Sequence, residues 1–157
     1  MKVFFDTNVL IAAFISHGVC CELFDYCLEK HTVFTSNFVL DEFVDKLLNK
    51  FHLTETKVLW ACDHLRTHTT FTSEAPLSHQ ICKDHNDDHI IAAGLNAKVD
   101  CIVTGDKKLL ELKKVFDIPI IQPGTTSNGI ALMFYLPLGR LEKRFHGRLP
   151  VLQNNRQ

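Results

Sequence analysis

The sequence predicts an α/β domain built around a mainly parallel β-sheet. Short β-rich runs alternate with helix-length amphipathic runs, a pattern typical of βαβ units. At 157 residues and 46% hydrophobic, the chain is long enough for one well-buried domain. In addition, acidic residues recur where strand-like runs end, which is where open α/β sheets place their functional residues.

In the amino-terminal half we expect two strands separated by two helices, followed by two further helices. The strands are predicted at residues 2–5 and 32–35, and the first two helices at about 7–15 and 19–29. Ser36 or Asn37 is a suitable N-cap for the third helix. The apolar face of this helix is formed by residues at i, i+4 spacing, namely Val39, Phe43, Leu47 and Phe51. Thr54 is expected to open the fourth helix.

The remaining elements are less regular along the sequence. A short edge strand is expected within residues 67–72, a loop at 76–86, and a helix opened by Asp87 or Asp88. Residues 100–104 predict a buried central strand, 107 to about 113 a short helix, and 118–121 the last strand. We therefore expect a compact domain at 1–123 and a partly irregular or mobile C-terminal extension at 124–157, with a polar and basic end.

Composition restricts the class of protein. No apolar run approaches the roughly 18 to 20 residues of a membrane span, and no signal peptide is evident, so we expect a cytoplasmic protein. The six cysteines lie mostly in apolar segments and form no C-x-x-C pair, which favours reduced structural thiols.

The net charge of −1 does not by itself indicate a nucleic-acid-binding protein. Basic residues nevertheless cluster late in the chain, after the last of the acids discussed below. They could form a phosphate-holding surface or simply solvated helix faces, and the sequence favours neither. These residues are Lys107, Lys108, Lys113, Lys114, Arg140, Lys143, Arg144 and Arg148.

Four acids are predicted to meet at one edge of the sheet. Asp6 and Asp106 each follow a predicted strand, and parallel strands end at the same edge. Glu42 and Asp88 lie near helix starts that face this edge. Carboxylates crowded in this way repel each other unless a cation neutralises them, and hard oxygen ligands suit Mg²⁺ or Mn²⁺. Such a site is suited to in-line phosphoryl displacement, and therefore to nuclease chemistry.

Other interpretations of single acids are possible. An aspartate at a helix start, such as Asp88, is often only a cap. Asp6 could also be the nucleophile of an aspartyl-phosphate enzyme. The phosphatase version of that chemistry expects a second aspartate two residues later, where this chain has Asn8.

Four motifs in order resemble those of the PIN-domain ribonucleases. They are DTN at 6–8, Glu42 in a later helix, DHIIAA at 88–93 and IVTGD at 102–106. The resemblance covers residues 1 to about 123. The segment 83–88 and the final motif are most similar to the toxin (VapC-like) branch of toxin–antitoxin PIN proteins. The resemblance implies a three-layer α/β/α fold and a metal-dependent endoribonuclease.

The resemblance also implies a role for individual residues. Asn8 would brace the site by hydrogen bonding, and Thr104 would orient a carboxylate or water. Asp84 is an additional candidate for the supporting set, whereas Asp87 is interpreted as a cap or a solvated residue. The implied metal-binding and catalytic acids are Asp6, Glu42, Asp88 and Asp106.

The expected partners are an RNA substrate and, for a toxin, a small antitoxin protein. An RNA-processing nuclease without an antitoxin and a catalytically idle PIN-like module that binds RNA or protein remain alternatives.

His85 and His89 are expected to hydrogen-bond carboxylates or contact RNA phosphate rather than bind a transition metal. The helical aromatic residues favour core or interface packing over base stacking, and a homodimer is plausible through the helix around Phe51 and Trp60. These aromatic residues are Phe38, Phe43, Phe51 and Trp60.

Overall fold

A computed structural model of the chain describes residues 1–124, in which six strands form one sheet. The strands are β1 Lys2–Phe5, β2 Thr32–Ser36, β3 Thr70–Thr72, β4 Cys101–Val103, β5 Lys114–Val115 and β6 Ile118–Ile121. Their order across the sheet is β3-β2-β1-β4-β6-β5, and only the β5–β6 pair is antiparallel. The expected mainly parallel sheet is therefore confirmed. The expected C-terminal extension, apart from Gly124, lies outside the described residues, and so do the basic residues named above from it, Arg140, Lys143, Arg144 and Arg148.

Within residues 1–124, six α-helices flank the sheet: α1 Thr7–Ile15, α2 Val19–Lys30, α3 Asn37–Asp45, α4 Glu55–His68, α5 His85–Ala97 and α6 Lys107–Glu111. From β1 the chain moves in one direction to β2 and β3, then returns past β1 to β4 and β6. Right-handed connections therefore put α1 to α4 on one face and α5 and α6 on the other. This gives the three-layer α/β/α arrangement.

The third helix differs from its prediction. Helix α3 ends at Asp45 and is followed by a π-helical turn, Lys46–Lys50, closed by a 3.0 Å hydrogen bond from the Phe51 amide to the Lys46 carbonyl. The wider turn shifts the apolar face, so Leu47 stays buried while Phe51 is 37% exposed. A uniform i, i+4 pattern does not reveal such a local change in helical pitch.

The start of α5 also differs from its prediction. The helix begins at His85, and Asp84 is the N-cap, its side chain accepting a hydrogen bond of 3.0 Å from the Asn86 amide. The expected caps, Asp87 and Asp88, therefore lie inside the first turn. Strand β5 was not predicted, because two residues are too few to show an alternating pattern.

The core lies between the central strands and the helices. Val3, Phe4 and Phe5 are fully buried, as expected for a strand covered on both faces. Helix α5 approaches β4 closely at Gly94, where a Cβ atom would lie 3.0 Å from Cδ1 of Ile102. Close packing thus leaves little room for a side chain at this position.

The six cysteines are free thiols, and four of them are buried: Cys27, Cys62, Cys82 and Cys101. Burial is the main factor that raises the pKa of Cys27, Cys82 and Cys101, in each case to about 12. These thiols are therefore uncharged at neutral pH, as structural thiols should be.

Within residues 1–124, no single helix has the length and apolar character needed to cross a membrane. Helices α1 and α2 meet that criterion only when counted together as a pair bent by 104°.

Candidate metal site at the carboxyl edge of the sheet

Asp6 and Asp106 are joined through Thr104 at the carboxyl ends of β1 and β4. The Thr104 hydroxyl donates a hydrogen bond of 2.6 Å to Oδ2 of Asp6 and accepts one of 2.9 Å from the Asp106 amide. Thr104 is fully buried and Asp6 is 5% exposed, so this bridge is shielded from water. β1 and β4 are neighbours at the point where the chain reverses its direction across the sheet, which is where α/β proteins bind ligands.

Burial is the main factor that raises the pKa of Asp6. The Thr104 hydrogen bond opposes this effect, whereas the charge of Glu42 adds to it and that of Lys46 reduces it. The carboxylate thus lies where a negative charge is poorly solvated, and a bound cation would stabilise its ionised form.

Glu42 projects from α3 and has both carboxylate oxygens engaged. Thr7 donates a hydrogen bond of 2.6 Å to Oε2, and Nζ of Lys46 lies 2.7 Å from Oε1. The same ammonium donates a hydrogen bond of 3.2 Å to Oδ1 of Asn8. Asn8 is therefore linked to Glu42 through Lys46.

Asp88 is buried, and its carboxylate holds the loop that precedes α5. The Cys82 amide donates to Oδ1 at 2.8 Å, and the Ile81 amide lies 3.2 and 3.3 Å from the two oxygens. The carboxylate is thus engaged by backbone donors of its own loop.

Asp87, the neighbouring residue, is affected by the other acids. Its pKa is raised to about 6, first by burial and then by the negative charges of Asp106, Asp84 and Asp6, while Lys108 opposes the shift. Asp87 is therefore not the cap of α5, and it is only partly exposed to solvent. Asp84 caps α5, and its negative charge also contributes to the raised pKa of Asp87. The Asp106 carboxylate caps α6 by accepting a hydrogen bond of 2.7 Å from the Lys108 amide.

The structure thus brings Asp6, Thr104 and Asp106 together as expected from the sequence, with Glu42 close enough to act on Asp6. Sequence reasoning missed Thr7 and Lys46 as partners of Glu42. The Lys46 contact had a detectable signal, because Glu42 and Lys46 have the i, i+4 spacing of a helical ion pair. The Thr7 contact had none, since it depends on the packing of α1 against α3.

In residues 1–124, no three His, Cys, Asp or Glu side chains are arranged as a ready set of metal ligands. The contacts above account for this: Lys46 and Thr7 engage Glu42, loop amides engage Asp88, and Asp106 caps a helix. The donor chemistry nevertheless suits a divalent cation, because carboxylates are hard oxygen ligands. Burial, with a further contribution from neighbouring acids, raises the pKa values of Asp6 and Asp87, so a cation would stabilise their ionised forms.

A family model described as PIN domain matches residues 2–108 of the chain. No curated protein matches it. Among solved structures, VapBC2 from Rickettsia felis, bound to a DNA fragment from its promoter, matches with a TM-score of 0.59 and 13% sequence identity. The match covers 78% of this chain and 98% of that chain. At such low identity, the similarity concerns the fold.

Proposed function

Because this chain belongs to the PIN domain family, we propose that it is a metal-dependent endoribonuclease that hydrolyses RNA phosphodiester bonds. The observation that carries the proposal is the mutual effect of the carboxylates at the ends of β1 and β4. Burial, together with the negative charges of Asp106, Asp84 and Asp6, raises the pKa of Asp87 to about 6. Such a concentration of negative charge suits a divalent cation and, through it, a phosphodiester.

Asp6, Asp106, Glu42 and a carboxylate of the first turn of α5 would hold Mg²⁺ or Mn²⁺. When bound, such an ion supplies Lewis-acid stabilisation of the phosphodiester and lowers the pKa of an attacking water. Thr104 orients Asp6 by its hydrogen bond, and Thr7 does the same for Glu42. Lys46 balances the charge of Glu42 and would release it when the metal binds.

Two adjacent acids compete for the position on α5. The sequence motif favours Asp88, and the contacts favour Asp87, since Asp88 is engaged by loop amides whereas Asp87 faces the other acids. We assign the metal contact to Asp87 and, to Asp88, the role of holding the loop that borders the site. Asp84 would contribute through its charge.

We further propose that the nuclease domain comprises residues 1–123, acts in the cytoplasm, and is the toxin of a toxin–antitoxin pair. The order of the four sequence motifs supports this role, and the similarity of fold to VapBC2 is consistent with it. The partner would be a small antitoxin protein. An RNA-processing enzyme is the alternative if no antitoxin exists.

A homodimer is part of the same proposal. Leu59 and Trp60 on α4 are 63% and 42% exposed, and Phe51 just before this helix is 37% exposed. These apolar side chains lie close in sequence and could be covered by a second copy. Light scattering of wild type and Leu59→Asp would test this: a dimer should become a monomer.

The activity is tested with purified protein and single-stranded RNA. We expect cleavage in Mg²⁺ or Mn²⁺, no cleavage in chelator, and no cleavage by Asp6→Asn. Thermal unfolding of the variant would establish that its fold is intact. Equal cleavage by a folded Asp6→Asn protein would contradict the assignment of the site, and the absence of cleavage by wild type would favour the idle binding module.

The toxin role has a separate test in cells. Induced expression of the wild type should arrest growth, whereas Asp6→Asn at the same level should not. A small protein encoded next to this gene should relieve the arrest. Harmless expression of an active nuclease would indicate RNA processing instead.

A further inference from the structure

A cavity of about 310 Å³ lies beside α5. Its polar lining consists of three histidines, two carboxylates and an amide, and three aliphatic side chains complete it. The polar residues are Glu74, His79, Gln80, His85, Asp88 and His89. None of the functions assigned above uses this cavity, although Asp88 forms part of its wall.

His89 in the cavity wall is stacked on Phe38, a residue outside the wall, so the imidazole has a fixed orientation. The rings of Phe38 and His89 are stacked, with centroids 4.1 Å apart and planes inclined by 17°. Nδ1 of His89 also lies 2.7 Å from Oε2 of Glu74. Since a second ring covers one face and a carboxylate holds one edge, the imidazole has little freedom to rotate. Phe38 was expected to serve packing, and its packing partner is the His89 ring.

The aromatic pair flanks the acids. Phe38 precedes Glu42 by about one turn of α3, and His89 follows Asp87 by two residues on α5. The cavity wall and the carboxylate edge therefore share the start of α5. A ligand in the cavity would lie next to a phosphodiester at the acids.

The negative charge of the cavity favours the base of a nucleotide over its phosphate group as a ligand. Glu74 and Asp88 would repel a phosphate, which argues against the expected phosphate contact of His85 and His89. A neutral, planar base carries no such penalty. It can stack on an aromatic ring and hydrogen-bond through its edges to imidazole and amide groups.

We propose that this cavity binds one base of single-stranded RNA, next to the phosphodiester held at the acids. The base stacks on the His89 ring, which Phe38 holds in place from its other face, and His79, Gln80 and His85 hydrogen-bond to the edges of the base. This inference rests on the proposed ribonuclease function and adds to it a site that selects the nucleotide beside the cleaved bond.

The first test measures binding of a fluorescently labelled single-stranded oligoribonucleotide to the full chain in chelator, by anisotropy. Phe38→Leu keeps apolar volume but removes the ring that holds His89 in its orientation, and should weaken binding about tenfold. Phe116→Leu is the matched control, because Phe116 is 58% exposed and precedes β6, at the opposite edge of the sheet from the acids. It should bind like wild type. His89→Ala, an exposed helical position, gives a second measurement if Phe38→Leu does not fold.

The second test follows the imidazole signals of His89 by NMR while adenosine, guanosine, cytidine or uridine 5′-monophosphate is added. At least one nucleotide should shift these signals in wild type, and Phe38→Leu should abolish the shift. If the protein cleaves RNA but neither variant alters binding and no nucleotide moves His89, the base site is wrong and the nuclease stands. If RNA is not cleaved but a nucleotide still shifts His89, the base site stands and the nuclease proposal fails.

Discussion

Lys46 places its ammonium 2.7 Å from Oε1 of Glu42, one helical turn away, while Thr7 donates to the other oxygen at 2.6 Å. To bind a metal ion, the Glu42 carboxylate must give up its contact with the Lys46 ammonium. The two side chains are 26% and 28% exposed, so the pair is partly screened by solvent.

We therefore expect Lys46→Met to bind Mn²⁺ more tightly than wild type, by up to about fivefold. This factor corresponds to the free energy of a partly exposed ion pair, which metal binding no longer has to break in the variant. Isothermal titration calorimetry measures this directly. Lys50→Met is the control, because Lys50 lies over the Phe51 ring rather than near the acids. Equal or weaker affinity in Lys46→Met would mean that Lys46 does not compete with the metal.

Asp6→Asn should unfold at a higher temperature than wild type when both are measured in chelator at neutral pH. Burial raises the pKa of Asp6 in the folded state, so the folded chain binds this proton more tightly than the unfolded chain. Its contribution to stability therefore falls as pH rises above the ordinary value of 3.8. Asparagine removes the buried charge and keeps an acceptor for Thr104.

Added Mg²⁺ or Mn²⁺ should raise the melting temperature of wild type and leave that of Asp6→Asn nearly unchanged. Differential scanning calorimetry gives both results. A variant less stable than wild type in chelator would show that the ionised carboxylate stabilises the fold.

The raised pKa of Asp87 predicts how the free energy of unfolding depends on pH. Its pKa is 3.8 ordinarily and about 6 in the folded chain, so its contribution to the free energy of unfolding should decrease as pH rises from about 4 to about 6. Urea unfolding of wild type and Asp87→Asn in chelator, across this range, isolates the effect. The variant should be relatively more stable above pH 6; parallel curves would mean that the pKa of Asp87 is not raised in the folded chain.

The adjacent variants Asp87→Asn and Asp88→Asn should fail in different ways. Asp87→Asn should lose cleavage and metal binding while remaining folded. Asp88→Asn should lose about 1.5–3 kcal/mol of stability, because its charge receives hydrogen bonds from the Ile81 and Cys82 amides. Activity assays and urea unfolding separate the two outcomes. The reverse result would return the metal contact to Asp88.

Gly94→Ala tests the packing of α5 on β4. The added methyl would lie 3.0 Å from Cδ1 of Ile102, so we expect a loss of about 1–3 kcal/mol of stability. Ile102→Val removes the contacted atom, and the double variant should be more stable than the sum of the single effects predicts. Additive losses in urea unfolding would place the strain elsewhere.

Much of the fold could be predicted from the sequence because local signals agreed with tertiary structure. β1 was predicted by an apolar run, and Ser36 is the N-cap of α3, accepting a hydrogen bond from the Val39 amide at 3.3 Å. The expected connection of Thr104 to a carboxylate is also seen, as its contact with Asp6. These features depend on residue type at a known position along a strand or helix.

The sequence could not predict in the same way which of Asp87 and Asp88 faces the other acids. Consecutive residues on a helix point about 100° apart, so one carboxylate faces the other acids and its neighbour faces the loop. Which one does so depends on where α5 starts, and Asp84 sets that start earlier than expected. The contacts of Lys46 and of the cavity residues likewise depend on how helices pack.

The order of the strands has a consequence for the timing of synthesis. β1 and β4 are neighbours in the sheet, yet Asp6 and Thr104 are 98 residues apart in the chain. A ribosome-bound chain that has not yet released β4 possesses Asp6 and Glu42 but neither Thr104 nor Asp106. Under the proposed function, the growing polypeptide is therefore harmless to the messenger RNA that encodes it, and becomes a nuclease only when its domain is nearly complete.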